Sequence, residues 1–207
     1  MHRDEKIVYY PLDADTTEQT LRIATKRADE LGIRHIVLPS STGATVLRLV
    51  DIVDMDRTSI VSVTLHAGYS KGDDVELPHA TQELLVSKGV KVFCGSHALS
   101  GIERSISREF HGISHAEIIA YTLRLFGCEG IKVAVEVAVM AADAGLVPTD
   151  QEIITLGGSH HGVDTAIVLK AAHQNNFFGL EIREILCKPR QRPDGETSLV
   201  SKVWDKG

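Results

Sequence analysis

Two stretches of this chain combine small hydroxyl side chains with glycine: Ser40-Ser41-Thr42-Gly43-Ala44-Thr45, and Gly157-Gly158-Ser159 running on to Asp164-Thr165. The chemistry they suggest is anion binding. Free amides at a helix start, the positive end of the helix dipole and several hydroxyls favour a phosphate over a neutral group, and glycine lets the backbone approach it closely. A glycine-rich loop such as 157–162 wraps an anion with successive amides. The plainer alternative for Ser40 to Thr45 is an ordinary strand-to-helix turn with a Ser or Thr cap. Four further candidates are Thr64, at the end of an expected strand, His66 and Gly68 in the loop after it, and His97 in a second loop.

Two charged residues stand apart from ordinary surface charge. Glu136 lies among valines, where a carboxylate is costly to bury unless paired, so it either accepts a hydrogen bond from a ligand or sits in a salt bridge. Helical spacing puts Glu136, Met140 and Asp143 on one face. Arg104 either neutralises a phosphate or pairs with a carboxylate such as Glu103 or Glu136. A metal is not expected: His160 and His161 are adjacent and cannot share a helical face, and a cap at Ser114 puts His111 outside the helix that holds His115. No Ser-His-Asp set or catalytic cysteine neighbourhood can be assembled, so no catalytic residue is assigned.

The elements that must position these residues alternate. Strands are expected at Ile7–Tyr10, Ile36–Leu38, Ser59–Leu65, Val90–Cys94, Glu152–Leu156, Thr165–Leu169 and Glu181–Cys187, each a short apolar or β-branched run. Helices are expected from Thr16 to Leu31, ended by Gly32, from Ala44 to Val53, and from Pro78 to Ser87. Capping-box patterns at Thr16/Gln19, Ser100/Glu103 and Ser114/Glu117 head the first helix and two more, Gly101–Phe110 and His115–Phe126. Gly130 to Gly145 has valines that alternate as in a strand, but its length and the run Met140-Ala141-Ala142-Asp143-Ala144 favour helix. This alternation implies a doubly wound α/β domain with a parallel sheet. Polar loops at Ser40, His66, His97 and Gly157 then follow strand ends, the edge where open α/β sheets bind ligands. The tail has a turn at Asp194-Gly195 and an apolar tip, Leu199–Trp204, suited to an edge strand or an oligomer contact.

Composition narrows the partners. The 207 residues suit one domain with a real core, and a hydrophobic fraction of 43% with 24% charged residues is ordinary for a globular protein. A net charge of -6 gives no basic footprint for nucleic acid, and the one close basic cluster, Lys188 to Arg192, is interrupted by Pro189. Cys94, Cys128 and Cys187 are far apart, which suggests a reducing, cytoplasmic setting with no disulfide framework. No signal peptide or membrane span is expected, and a small phosphate-bearing molecule is the expected partner.

From Glu5 to Arg190 the chain resembles a family of archaeal and bacterial proteins related to the C-terminal domain of pyruvate kinase. The segments that carry the resemblance are Thr17–Ser41, Ser96–Ser107, Val135–Asp143, Gly157–Thr165 and Ala172–Phe178. The resemblance implies a single three-layer α/β/α domain with a mostly parallel mixed sheet, residues 190–207 forming a C-terminal extension. It also implies that the Ile36 strand is central, with the Leu156 strand beside it and the Ser40 and Gly157 loops flanking one crevice. A length of 207 residues leaves no room for a catalytic (β/α)₈ barrel, so pyruvate kinase activity is not expected. Members of the smaller family are expected to hold flavin mononucleotide (FMN), whereas the related pyruvate kinase loop binds a sugar bisphosphate effector.

Two functions therefore share one cradle: a flavin-binding protein, or a non-catalytic sensor of a phosphorylated metabolite. In the flavin reading Ser40, Ser41, Thr42 and Gly43 hold the phosphate and Gly157, Gly158 and Ser159 close from the other side, while His66, Gly68, His97 and the Glu136 face meet the ribityl chain or ring. Thr45, Thr64, Arg104, Asp164 and Thr165 are further cofactor-binding candidates.

Overall fold

The computed structural model describes residues 6–11, 14–69, 72–126, 128–159 and 161–191. His160, the Asp194-Gly195 turn and the apolar tip Leu199–Trp204 lie outside the described residues. In chain order the elements are β1 (Val8–Tyr10), α1 (Thr17–Leu31), β2 (His35–Pro39), α2 (Ala44–Val50), β3 (Ser59–Thr64), α3 (His79–Ser87) and β4 (Lys91–Cys94). They continue with α4 (Gly101–Phe110), α5 (His115–Arg124), α6 (Glu129–Asp143), β5 (Glu152–Gly157), β6 (Thr165–Lys170), a 3-10 turn (Gln174–Gly179) and β7 (Glu181–Pro189).

The strands form one seven-stranded sheet in the order β1-β7-β6-β5-β2-β3-β4. β2 is central and pairs in parallel with β3 on one side and β5 on the other. Only β6 departs from a parallel arrangement, running antiparallel to both β5 and β7. The uniform parallel sheet inferred from alternation is corrected here: the 158–164 link is too short for a crossover, so β6 must turn back beside β5. The sheet is mixed, as the resemblance implied.

Central strands are apolar on both faces because both are covered. Ile36, Leu38, Ile60, Ile154 and Leu156 pack in one core cluster with α1 residues Leu21 and Ala24, α2 residues Val46 and Leu49, and Leu85 of α3. Val37, Val61, Val63 and Ile153 pack in the other with α6. Nearly every residue of α6 is buried, which resolves its strand-like valines: a helix enclosed on almost all sides carries apolar residues regardless of phase.

Of the three capping boxes, only Ser114/Glu117 forms, with Ser114 Oγ accepting from Glu117 N and Glu117 Oε2 from Ser114 N. Thr16 and Ser100 make no side-chain cap. At α1 the Asp15 carboxylate takes that place, accepting from Thr17 N at 3.2 Å. His111 ends α4 in the left-handed region, at φ 52°, so His111 and His115 do not share a helix. α2 stops at Val50, three residues short of the expected end.

The parallel strands share a carboxyl rim, and β6 begins there. The β2–α2 and β5–β6 loops are therefore neighbours on the same edge.

Candidate functional site

A cavity of about 930 Å³ opens at this rim. Its walls are the start of α1, the β2–α2 loop, the end of β3, His97 and Arg104, the α5–α6 junction, one face of α6 and the β5–β6 loop. Of the residues expected to bind a ligand, Ser40, Ser41, Thr42, Thr45, Thr64, His97, Arg104, Glu136, Gly158, Ser159 and Asp164 line it. Gly43, His66, Gly68, Gly157 and Thr165 are not among the lining residues.

The β2–α2 loop is held by one hydrogen bond to β3 and by contacts of its own, the weaker of which is Thr42 Oγ1 accepting from Ala44 N at 3.5 Å. Ser40 N donates to Val63 O at 2.9 Å, tying the loop to β3. Ser40 Oγ accepts from Gly43 N at 2.9 Å, so that amide is not free for a ligand. Gly43 has a positive φ of 85°, and a Cβ there would lie 2.5 Å from Thr81 Cγ2. Its lack of a side chain serves the turn and packing against α3, which corrects the expectation that it brings backbone to a ligand. Ser41, Thr42 and Thr45 remain at the cavity wall, one helical turn before Arg48. Beside them the Thr64 hydroxyl, on a residue only 2% exposed, has no hydrogen-bond partner. A buried hydroxyl without a partner is costly, and a ligand or ordered water in the cavity would relieve it.

The β5–β6 loop differs: Ser159 and Thr165 donate to a carboxylate of the chain itself. Asp164 Oδ2 accepts from Ser159 N at 3.1 Å and from Ser159 Oγ at 2.9 Å, and Asp164 Oδ1 accepts from Thr165 Oγ1 at 2.6 Å. A carboxylate of the chain thus occupies the place expected for an external anion. The glycines here are set by packing. A Cβ on Gly157 would lie 2.0 Å from Gly130 O, so β5 and the first turn of α6 meet backbone to backbone. A Cβ on Gly158 would lie 2.4 Å from Gly162 O.

Glu136 is buried and fully engaged. Its Oε2 accepts from Lys132 Nζ at 2.5 Å and its Oε1 from Leu99 N at 2.8 Å. Both side chains of the pair are almost inaccessible, 7% for Lys132 and 5% for Glu136. The structural salt bridge is therefore present, with Lys132 as partner rather than Arg104, and it anchors the β4–α4 loop to α6. Arg104 pairs with neither Glu103 nor Glu136. Among the described residues Arg104 and Arg48 are lining cations without an ion pair, whereas Arg124 is bound to Glu129. Cys128, at the N-cap of α6, also lines the cavity; burial pushes its thiol up, so it stays protonated at neutral pH.

At the β3 and β4 ends three rings form a cluster. His66 and His97 meet edge to face at 5.5 Å between centroids, His66 and Tyr69 at 5.7 Å, and Tyr69 and His97 at 5.4 Å. Burial is the main influence holding His97 below the ordinary histidine range, against the pull of Glu136, so its ring is neutral at pH 7. Gly68 serves the turn that carries Tyr69, at φ 74°.

Sequence reasoning missed Lys132, Arg48, Tyr69 and Arg124. Lys132 had a readable signal, its spacing of four from Glu136; the other three had none until the fold brought them to one cavity. Asp143, expected on the Glu136 face, is remote from the cavity. Its Oδ1 accepts from Gln174 N at 3.0 Å and lies 3.2 Å from His173 Nδ1, fixing the 3-10 turn at the opposite rim. Of the two aromatics in that turn, Phe177 packs on the core and Phe178 is 89% exposed. Among the described residues no group of three His, Cys, Asp or Glu could hold a metal ion. No helix among them is long and apolar enough to cross a membrane.

No family model matches the chain. Among solved structures it is similar to a pyruvate kinase from Cryptosporidium parvum, with a TM-score of 0.39 and 15% identity over 72% of this chain and 22% of that one. A structure of Cryptosporidium parvum pyruvate kinase in complex with ADP gives 0.37 and 15% over 86% and 25%, and a further one 0.36 and 15% over 85% and 23%. The chain spans about a quarter of the length of those enzymes. The likeness concerns fold alone and is silent on ligand and activity.

Proposed function

We propose that the carboxyl-rim cavity binds a planar, phosphate-bearing cofactor, FMN. The observation that supports this reading is one wall of the cavity: the hydroxyls of Ser41, Thr42 and Thr45, the unpaired Arg48 and the orphaned Thr64 hydroxyl. Hydroxyl donors and an unpaired guanidinium suit a phosphate dianion, and Arg104 adds a second cation to the same space. The volume is at the upper end of the roughly 300–1,000 Å³ usual for small-molecule sites. His97 and Tyr69 would flank a ring system, and the neutral His97 imidazole would donate or accept a hydrogen bond there without adding charge. The β5–β6 loop would wall the cavity rather than grip the phosphate, since Asp164 already takes both donors of Ser159 and brings a negative charge there. When bound, the flavin supplies any redox chemistry; the chain binds and orients it.

The alternative, a sensor of a sugar phosphate, uses the same hydroxyl wall but gives no role to the cluster of His66, Tyr69 and His97. A flavin spectrum in freshly purified protein, or saturable uptake of FMN on titration, is the expected result. Protein that takes up no flavin yet is stabilised by sugar bisphosphates in a thermal-shift assay would replace the flavin reading with the sensor.

A further inference from the structure

α4 is amphipathic in the reverse sense to a helix on a monomer surface. Ile102, Ile106 and Phe110 recur every four residues and so share one face. That face points to solvent: Ile102 and Phe110 are each 77% exposed and Ile106 is 45% exposed. The polar side of the helix turns inward instead. Arg104 lines the cavity and Ser107 donates to Glu117 of α5, and no residue of α4 is buried. Ile113 in the following turn, Ile118 on α5 and Leu125 just past its end are exposed as well.

We propose that the α4–α5 face is an isologous interface at which two copies of this chain form a dimer. Area supports a second copy. Six large apolar side chains at these exposures, from a surface of roughly 200 Å² each, present about 750 Å², close to the roughly 800 Å² each partner contributes to a standard stable interface. Charge argues against a membrane. α4 carries Glu103 and Glu109 against Arg104 and Arg108, with no lysine, whereas interfacial helices that lie on anionic lipid are rich in Lys and Arg on the polar face. A two-fold dimer is the commonest way to cover such a self-presented patch.

Sedimentation equilibrium on the full chain at micromolar concentration tests the proposal. The expected mass is twice the 22.6 kDa of one chain, falling to a single chain in the double variant Ile102→Lys, Phe110→Lys. Both positions are exposed, so the variant should keep the circular-dichroism spectrum of the fold. Should it misfold, hydrogen exchange on the unaltered chain gives an independent reading: amides of Ile102 to Phe110 should become more protected as concentration rises through the dimerisation range. A monomer at all accessible concentrations, a dimer that survives in the folded double variant, or a dimer with unchanged α4 exchange would overturn the proposal. The test requires no flavin, so its outcome is independent of the ligand reading.

Discussion

The β2–α2 and β5–β6 loops sit side by side on one rim and are written in the same residues, glycine with Ser and Thr, yet their polar groups are spent differently. In the first, the Ser40 hydroxyl accepts from Gly43 N and the Thr42 hydroxyl, more weakly, from Ala44 N, while Ser41, Thr42, Thr45 and Arg48 line the cavity. In the second, Asp164 collects Ser159 N, Ser159 Oγ and Thr165 Oγ1. An anion cradle and a loop closed on its own carboxylate need the same donors. What separates them is where the nearest acid lies: Asp164 is within the β5–β6 loop, and the β2–α2 loop contains no acid.

The largest effect is expected at the buried pair that ties the β4–α4 loop to α6. Glu136→Gln leaves Lys132 charged, buried and unpaired, and should lower unfolding stability by about 3–5 kcal/mol in denaturant titration. Replacing both partners together, Glu136→Leu with Lys132→Met, should cost far less, because no charge is stranded. Such a result would separate the structural role of Glu136 from the ligand contact expected of it.

The comparison itself is sharpened by opening the closed loop. Asp164→Ala should cost about 1.5–3 kcal/mol through lost charge-assisted hydrogen bonds. It should also create a new response: inorganic phosphate should raise the melting temperature of the variant more than that of the unaltered chain. Equal responses would mean that the loop donors are not competent to hold an anion.

In the open loop, Arg48→Ala should weaken FMN binding about tenfold while leaving riboflavin binding and stability nearly unchanged, since the side chain is exposed and unpaired. Isothermal titration with both ligands checks this. The smallest effect concerns pH. Burial holds both His35 and His97 below the ordinary value of 6.5, so the unfolded chain takes up protons first as pH falls. The stability they contribute is present above about pH 6.5 and is lost below it. The acid-side loss should shrink in His35→Phe, measured by melting temperature across that range.

Much of the scaffold was legible because its signals are local. Apolar runs ending in Pro or Gly placed the strands, and the Ser114/Glu117 box marked a helix start that forms as written. β6 was placed as a strand but not in direction, because direction depends on the shortness of the 158–164 link rather than on any residue in it. The site was legible in part. The hydroxyls of the β2–α2 loop, Thr64, His97 and Arg104 reach one cavity, but Gly43 and Gly157 are glycines for packing, against Thr81 and Gly130. Composition cannot distinguish a glycine that admits a ligand from one that admits another stretch of backbone. The partner of Glu136 was readable: Lys132 lies four residues before it on the same expected helix, whereas Arg104 is on another element.

The central claim is that the rim cavity recognises a phosphate through the β2–α2 loop. Parallel titrations of FMN and riboflavin into the full chain and into Thr45→Val, followed by flavin fluorescence, test it most directly. The account predicts that FMN binds at least tenfold more tightly than riboflavin and that the variant loses most of that preference. Equal affinities for the two flavins, or a preference untouched by the variant, would contradict it.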